Sequence, residues 1–308
     1  MNDAVKTLLK EQLQEWDLAA GNYAALDTVK VKELVVDGYT FKVQFNPARI
    51  ISSAAKVDPK SIKERKCFLC LAHLPAEQKG LPYTAPSGNA YTILCNPYPI
   101  FKQHLTIPSV QHIDQRISGK VGDMLELAGY LTDFLLFYNG PQCGASAPDH
   151  FHFQAGNKGF LPIEKDIEKI LEDKGKVIGN GIYKLPDSPV QTFIYKSEDA
   201  AAIEKWFEGI YEQFQKVAPS EIEPMMNILC WKANEHFYLV VYPRRAHRPT
   251  QFFADGDANI LISPASIDLG GVFITPQQKD FDKITAAEIK DILQQISVTP
   301  DTFNKLIK

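Results

Sequence analysis

The run Asp149-His150-Phe151-His152-Phe153-Gln154 decides how this chain is read. On a β-strand, successive side chains point to opposite faces. His150, His152 and Gln154 then share one face, while Phe151 and Phe153 point the other way into a core. Three polar groups in a row, backed by aromatics, make a poor plain surface strand. The preceding Gly144-Ala145-Ser146-Ala147-Pro148 carries small side chains. Backbone N–H groups and a hydroxyl there can approach a phosphate closely. A neutral imidazole can attack the α-phosphorus of a nucleotide and displace the group beyond it. Ser146, Gln154 and backbone amides are then the donors that steady charge on the transferring phosphoryl group. An isolated His-x-His is more often an ordinary strand, so the surroundings carry the decision.

Working outward, residues 91–96 and 104–107 read as strands joined by the proline-marked loop Asn96-Pro97-Tyr98-Pro99. Residues 2–19 repeat apolar positions at helical spacing, and so do residues 121–138. Residues 29–36 and 39–45 read as a strand pair turning at Asp37-Gly38. A polar, basic stretch then runs to Lys66. In the second half, 192–195, 226–232, 237–242 and 271–275 read as strands, with a turn at Ala233-Asn234-Glu235. Residues 200–217, 286–296 and 300–307 read as helices. Strand pairs mixed with helices predict an α+β fold with a mainly antiparallel sheet and flanking helices.

The signature His150-Phe151-His152-Phe153-Gln154 resembles the His-x-His-x-Gln of the transferase branch of the histidine-triad (HIT-like) superfamily. That branch includes galactose-1-phosphate uridylyltransferase, diadenosine tetraphosphate phosphorylase and the GDP-hexose phosphorylases. Asn96-Pro97-Tyr98-Pro99-Ile100, followed by His104-Leu105-Thr106-Ile107-Pro108 and His112, is similar to the strand pair of the nucleotide pocket. Gly144-Ala145-Ser146 resembles the phosphate loop, and Asp149 is one residue more than the signature calls for. Gln44-Phe45-Asn46-Pro47-Ala48-Arg49, Leu161-Pro162-Ile163-Glu164 and Gly270-Gly271-Val272-Phe273-Ile274 look most like the GDP-hexose phosphorylases. The resemblance covers roughly residues 28–285.

This resemblance implies two related halves, residues 1–160 with the motifs and residues 161–308 completing the substrate pocket. It implies that His152 is the nucleophile and that Gln154, where hydrolases carry histidine, marks a transferase or phosphorylase. A nucleotidyl-histidine intermediate would wait for phosphate or a sugar phosphate. The donor would be a nucleotide sugar or a dinucleoside polyphosphate. Asn96, His104, Gly144 and Ala145 are expected to touch substrate. Arginine forks suit phosphate oxygens, so Arg49, Arg244 and Arg248 join Lys158 as candidates, each rivalled by a plain surface charge. A HIT-type hydrolase and a catalytically silent nucleotide sensor are the competing readings.

Cys67-Phe68-Leu69-Cys70 is half a zinc site by spacing. His112 and His150 could complete a Cys₂His₂ tetrahedron, and the uridylyltransferases place these residue types in this order. The resemblance therefore implies a structural zinc beside the nucleophile. His73 is a rival ligand. Cys95, Cys143 and Cys230 read as packing residues.

Composition bounds the rest. The 308 residues are 45% hydrophobic and 23% charged, with a net charge of −4. That balance gives no general attraction to nucleic acid or an acidic membrane. Five cysteines, an odd number, argue against a disulfide scaffold and for a reducing, cytoplasmic setting. The opening Met1-Asn2-Asp3-Ala4-Val5-Lys6 does not read as a secretory signal. A homodimer is compatible with the resemblance.

Overall fold

The computed structural model describes residues 1–50, 58–185, 187–220 and 222–307. Part of the basic stretch, residues 51–57, lies outside the described residues. In chain order the strands are β1 (Lys30–Val36), β2 (Tyr39–Phe45), β3 (Gly80–Thr84), β4 (Ala90–Cys95), β5 (His104–Pro108), β6 (Phe134–Asn139), β7 (His152–Asn157), β8 (Lys176–Gly179), β9 (Ile182–Lys184), β10 (Phe193–Ser197), β11 (Met226–Ala233), β12 (His236–Pro243) and β13 (Val272–Thr275).

Ten strands form one sheet in the order β3-β4-β5-β7-β6-β11-β12-β10-β9-β8. Every pairing in it is antiparallel. The expected α+β fold is therefore the fold observed. The topology repeats about the β6–β11 contact. β3-β4-β5, a helix (Val121–Tyr130), then β6-β7 is matched by β8-β9-β10, a helix (Ala200–Val217), then β11-β12. The halves join where Asn139 pairs with Asn227, so one sheet runs through both. A smaller sheet, β1-β2-β13, lies apart from it, with β13 parallel to β2.

Both faces of the large sheet are covered. Phe134, Leu136 and Tyr138 of β6 join one core with Phe151 and Phe153, while Leu135 and Phe137 join the other. This explains an expectation that fails. Residues 121–138 are not one helix. The helix stops at Tyr130, and Phe134–Asn139 is a central strand. A strand buried on both faces reads as a continuous apolar run, without the alternation that distinguishes it from a helix.

Residues 2–19 likewise divide into two helices, Asn2–Glu15 and Asp17–Ala25, because Trp16 adopts an extended φ of −128°. Asp37 and Gly38 both have positive φ, as the two-residue hairpin turn between β1 and β2 requires. Strands β3, β8 and β9 and the helix Pro162–Lys174 were not anticipated.

Gly156 of β7 lies against the fully buried Phe101, and a Cβ there would fall 2.4 Å from that ring. Gly156→Ala is expected to lower stability by about 2 kcal/mol or more. The check is urea unfolding, read as a lower midpoint at unchanged slope.

Candidate active site

The strand ladder brings the signature to a cavity of about 580 Å³. His152 is 4% exposed and lines it. Its Nδ1 lies 2.8 Å from the carbonyl oxygen of His150. A carbonyl only accepts, so Nδ1 carries the proton and Nε2 keeps its lone pair. Burial holds the imidazole down at about 4, so it is neutral at physiological pH. A neutral ring with a free Nε2 at a cavity wall is the state a nucleophile needs.

The same logic orients Gln154. The N–H of Ile100 donates to His104 Nδ1 at 3.1 Å, which puts the His104 proton on Nε2. That Nε2–H donates to Gln154 Oε1 at 3.1 Å, and Asn96 Nδ2 donates to the same oxygen at 3.3 Å. With its oxygen engaged, Gln154 has its NH₂ end left to offer the cavity. Burial, and then the Arg49 charge, push His104 down to about 3, keeping this tautomer in place. His104 itself is fully buried and does not line the cavity. It lies behind Gln154 rather than at the lining, where direct substrate contact was expected.

Gly144, Ala145 and Ser146 line the cavity, as do Asn96, Arg49 and Arg248. Gly144 has φ +97°, and a Cβ would lie 2.6 Å from Ala265 Cβ, so only glycine fits this loop. Arg49 donates to the Tyr98 carbonyl at 2.6 Å, and burial lowers its guanidinium to about 10. Arg248 lies over the Phe252 ring at 4.0 Å and donates to Ser263 at 3.1 Å.

Two cationic candidates are corrected. Arg244 is 1% exposed and donates to Asn227 Oδ1 and to the carbonyls of Pro264, Ala246 and His247. It pegs the second half together and does not line the cavity. Lys158 donates to the Lys232 carbonyl and is also absent from the lining. Main-chain carbonyls take up both charges, joined at Arg244 by the Asn227 side chain.

Several lining residues were not anticipated. Asn139 ends β6, and its Oδ1 accepts from Ser266 N at 2.9 Å and Asn227 Nδ2 at 2.9 Å. Its NH₂ is thereby the end left for the cavity. Asp268 accepts from the N–H groups of Ala265 and Ile274, yet burial raises it to about 6. Burial also lowers His247 to about 4. Arg65 pairs with Asp149 and stacks on Phe68 at 4.8 Å. This gives the extra residue before the signature a job: it holds an arginine in the cavity wall. Neither Asn139 nor Asp268 carries a local motif that marks it.

Next to His152, Cys67, Cys70, His112 and His150 bring four donor atoms within 4.8 Å of one another. Cys67 Sγ lies 3.2 Å from His150 Nδ1, and Cys70 Sγ lies 3.1 Å from His112 Nδ1 and 3.6 Å from His150 Nδ1. A tetrahedral ion with ordinary zinc bond lengths separates sulfur from nitrogen by about 3.6 Å, so the set fits a metal ion. His150 Nε2–H donates to the Ser109 carbonyl at 2.8 Å, which leaves Nδ1 free to ligate, as an outer partner of a metal histidine does. His73 faces the Cys67 carbonyl at 2.9 Å and stays outside the cluster. Cys95, Cys143 and Cys230 are fully buried.

Residues 162–308 match the family described as GDPGP1-like, C-terminal domain, and residues 8–157 match a domain of unknown function, DUF4922. Each match speaks for its own half of the chain, and the solved structures that follow are similar to it in fold. The yeast Ap4A phosphorylase Apa2 shares its fold, with a TM-score of 0.62 at 15% identity over 91% of this chain and 96% of that one. The same enzyme in complex with Ap4A superposes with a TM-score of 0.59 at 15% identity, covering 92% and 97%. Its AMP complex gives 0.61 at 16% identity, covering 93% and 96%. No curated protein matches the chain by sequence. Among the described residues no helix is long and apolar enough to cross a membrane.

Arg244→Met leaves Asn227 and three carbonyls without their donor and is expected to cost about 3 kcal/mol in a denaturant titration. Arg248→Met, at the half-buried rim, should cost under about 1 kcal/mol in the same titration. The purified chain should also carry bound metal by elemental analysis, and the Cys67→Ser/Cys70→Ser double variant should not. Chelation of the wild type should lower its melting temperature.

Proposed function

We propose that this chain is a nucleotidyl-transferring phosphorylase that works through a nucleotidyl-His152 intermediate. The observation that carries the reading is the bond from His152 Nδ1–H to the His150 carbonyl, which leaves Nε2 as a nucleophile at the cavity wall.

The Nε2 lone pair attacks the α-phosphorus, and the bond from that phosphorus to the bridging oxygen breaks. The electron pair leaves on that oxygen, as a sugar phosphate when the donor is a nucleoside-diphosphate sugar. A phosphate monoester has its second pKa near 6, so this group departs without a proton from the enzyme. Gln154, which cannot deliver one, suits such a leaving group. Its NH₂, with those of Asn139 and Ser146's hydroxyl, is placed to donate to the phosphoryl oxygens. The positive charge gained by the substituted ring is shared through Nδ1–H with the His150 carbonyl. An oxygen of inorganic phosphate then attacks the same phosphorus, the N–P bond breaks, and His152 returns to its neutral state. The product is a nucleoside diphosphate.

A nucleoside-diphosphate sugar is favoured as donor over a dinucleoside polyphosphate. Trp16, Leu18, Phe68, Leu94 and Pro97, all from the first half, supply an apolar wall suited to one base. The second half contributes His247, Arg248, Ser263 and Asp268, with only aliphatic side chains between them. That wall suits hydroxyls and phosphate, and its one ring, the His247 imidazole, is smaller than the indole and phenyl surfaces that Trp16 and Phe68 supply from the first half. The match to a GDPGP1-like domain supports the same choice and makes guanine the first base to test. Residues 1–160 would then carry the nucleophile and residues 161–308 complete the sugar side. Arg49 and Arg248 are read as phosphate contacts.

The metal in the Cys67, Cys70, His112, His150 cluster is read as a structural zinc. It would supply rigidity rather than reaction chemistry, tying the segment around Cys67 to the residue whose carbonyl sets the His152 tautomer.

The test is intact-protein mass spectrometry after separate incubation with GDP-glucose, UDP-glucose and diadenosine tetraphosphate. One nucleotide-sized adduct, absent from His152→Ala and discharged by inorganic phosphate, is the expected result. A folded, nucleotide-binding protein that forms neither adduct nor product with any of them contradicts the proposal.

A further inference from the structure

The β6–β7 ladder runs from Phe134–Asn157 to Phe137–Gln154. In the same register Asn139 would next face His152, but the pairing ends before it gets there. Those are the two residues whose side chains must meet the phosphate. Between them sits the side chain of Gln115, fully buried. Its Oε1 accepts from the His152 N–H at 2.7 Å. Its Nε2 donates to the His152 carbonyl at 3.0 Å and to the Asn139 carbonyl at 3.0 Å. One amide thus replaces the missing rung of the sheet. The strands can splay there with the His152 N–H, the His152 carbonyl and the Asn139 carbonyl still paired.

We infer that Gln115 is the positioning residue of the transfer reaction, setting the distance between the His152 nucleophile and the Asn139 donor. This inference rests on the phosphorylase reading above. Three bonds from one rigid amide fix both main chains at once, so a shift of Gln115 moves nucleophile and donor relative to each other. Reactions that depend on near-attack geometry lose about 100-fold for a displacement of about 1 Å. Neighbouring main-chain bonds from Ser109 N to the Phe151 carbonyl and from Phe151 N to the Ile113 carbonyl hold the strand itself in place. Loss of Gln115 should therefore loosen the geometry of the site while leaving the sheet formed.

The experiment is single-turnover formation of the His152 adduct, comparing wild type, Gln115→Met and Gln115→Asn. Gln115→Met keeps the volume and removes all three bonds. Gln115→Asn keeps the amide but shortens its reach, and serves if the methionine variant does not fold. The expected result is full adduct amplitude reached on the order of 100-fold more slowly. A reduced amplitude at unchanged rate would mean that Gln115 merely supports folding, and an unchanged rate and amplitude would mean it does nothing here; either overturns the inference. If the wild type forms no adduct, the phosphorylase reading fails by itself. Gln115 is then judged by the imidazole nitrogen resonances of His152. A single unaltered tautomer in Gln115→Asn would overturn its positioning role, and a mixture of tautomers would support it.

Discussion

The site depends on one hydrogen bond, from His152 Nδ1 to the carbonyl of His150. It fixes which nitrogen is free, and most of the surrounding structure serves to keep that carbonyl where it is. The His150 ring is held from both sides, Nε2 by Ser109 and Nδ1 by the cysteine cluster. The main chain at His152 is held by Gln115. Burial keeps the His152 imidazole neutral. None of these contacts would touch the phosphorus of the proposed donor; together they set the state in which the imidazole meets it.

The second constraint is the join between the halves. Asn139 and Asn227 meet in the β6–β11 pairing, and Arg244 clamps Asn227 from the opposite side. Ser266, from the short helix Ser266–Leu269 that also carries Asp268, donates to Asn139. The cavity is therefore assembled from both halves. Trp16, Leu18, Phe68 and Leu94 reach the lining from the first half and His247, Arg248, Ser263 and Asp268 from the second, and His152 lies on the strand next to the seam. The division of labour proposed for base and sugar follows from that arrangement.

Much of this was legible in the sequence because it is local. His150, His152 and Gln154 announce themselves by strand periodicity, and the Cys-x-x-Cys by spacing. The Gly144-Ala145-Ser146 loop announces itself by its small side chains. What was not legible is long-range. Arg244 looked like a phosphate ligand, since nothing in Tyr242-Pro243-Arg244-Arg245 reveals that Asn227 and three carbonyls lie around it. His104 looked like a substrate contact because its role, holding Gln154, spans fifty residues. Asp268 and Gln115 carry no motif. The strand β6 was misread because burial on both faces erases the alternation that marks a strand.

The central claim is that His152 presents Nε2 because Nδ1 is protonated against the His150 carbonyl. Long-range proton–nitrogen correlation spectra of the imidazole rings, assigned with His152→Ala, test it most directly. The account predicts one neutral tautomer for His152, with the proton on Nδ1 and an unprotonated Nε2, unchanged across the physiological pH range. A proton on Nε2, or a ring exchanging between tautomers, would contradict it.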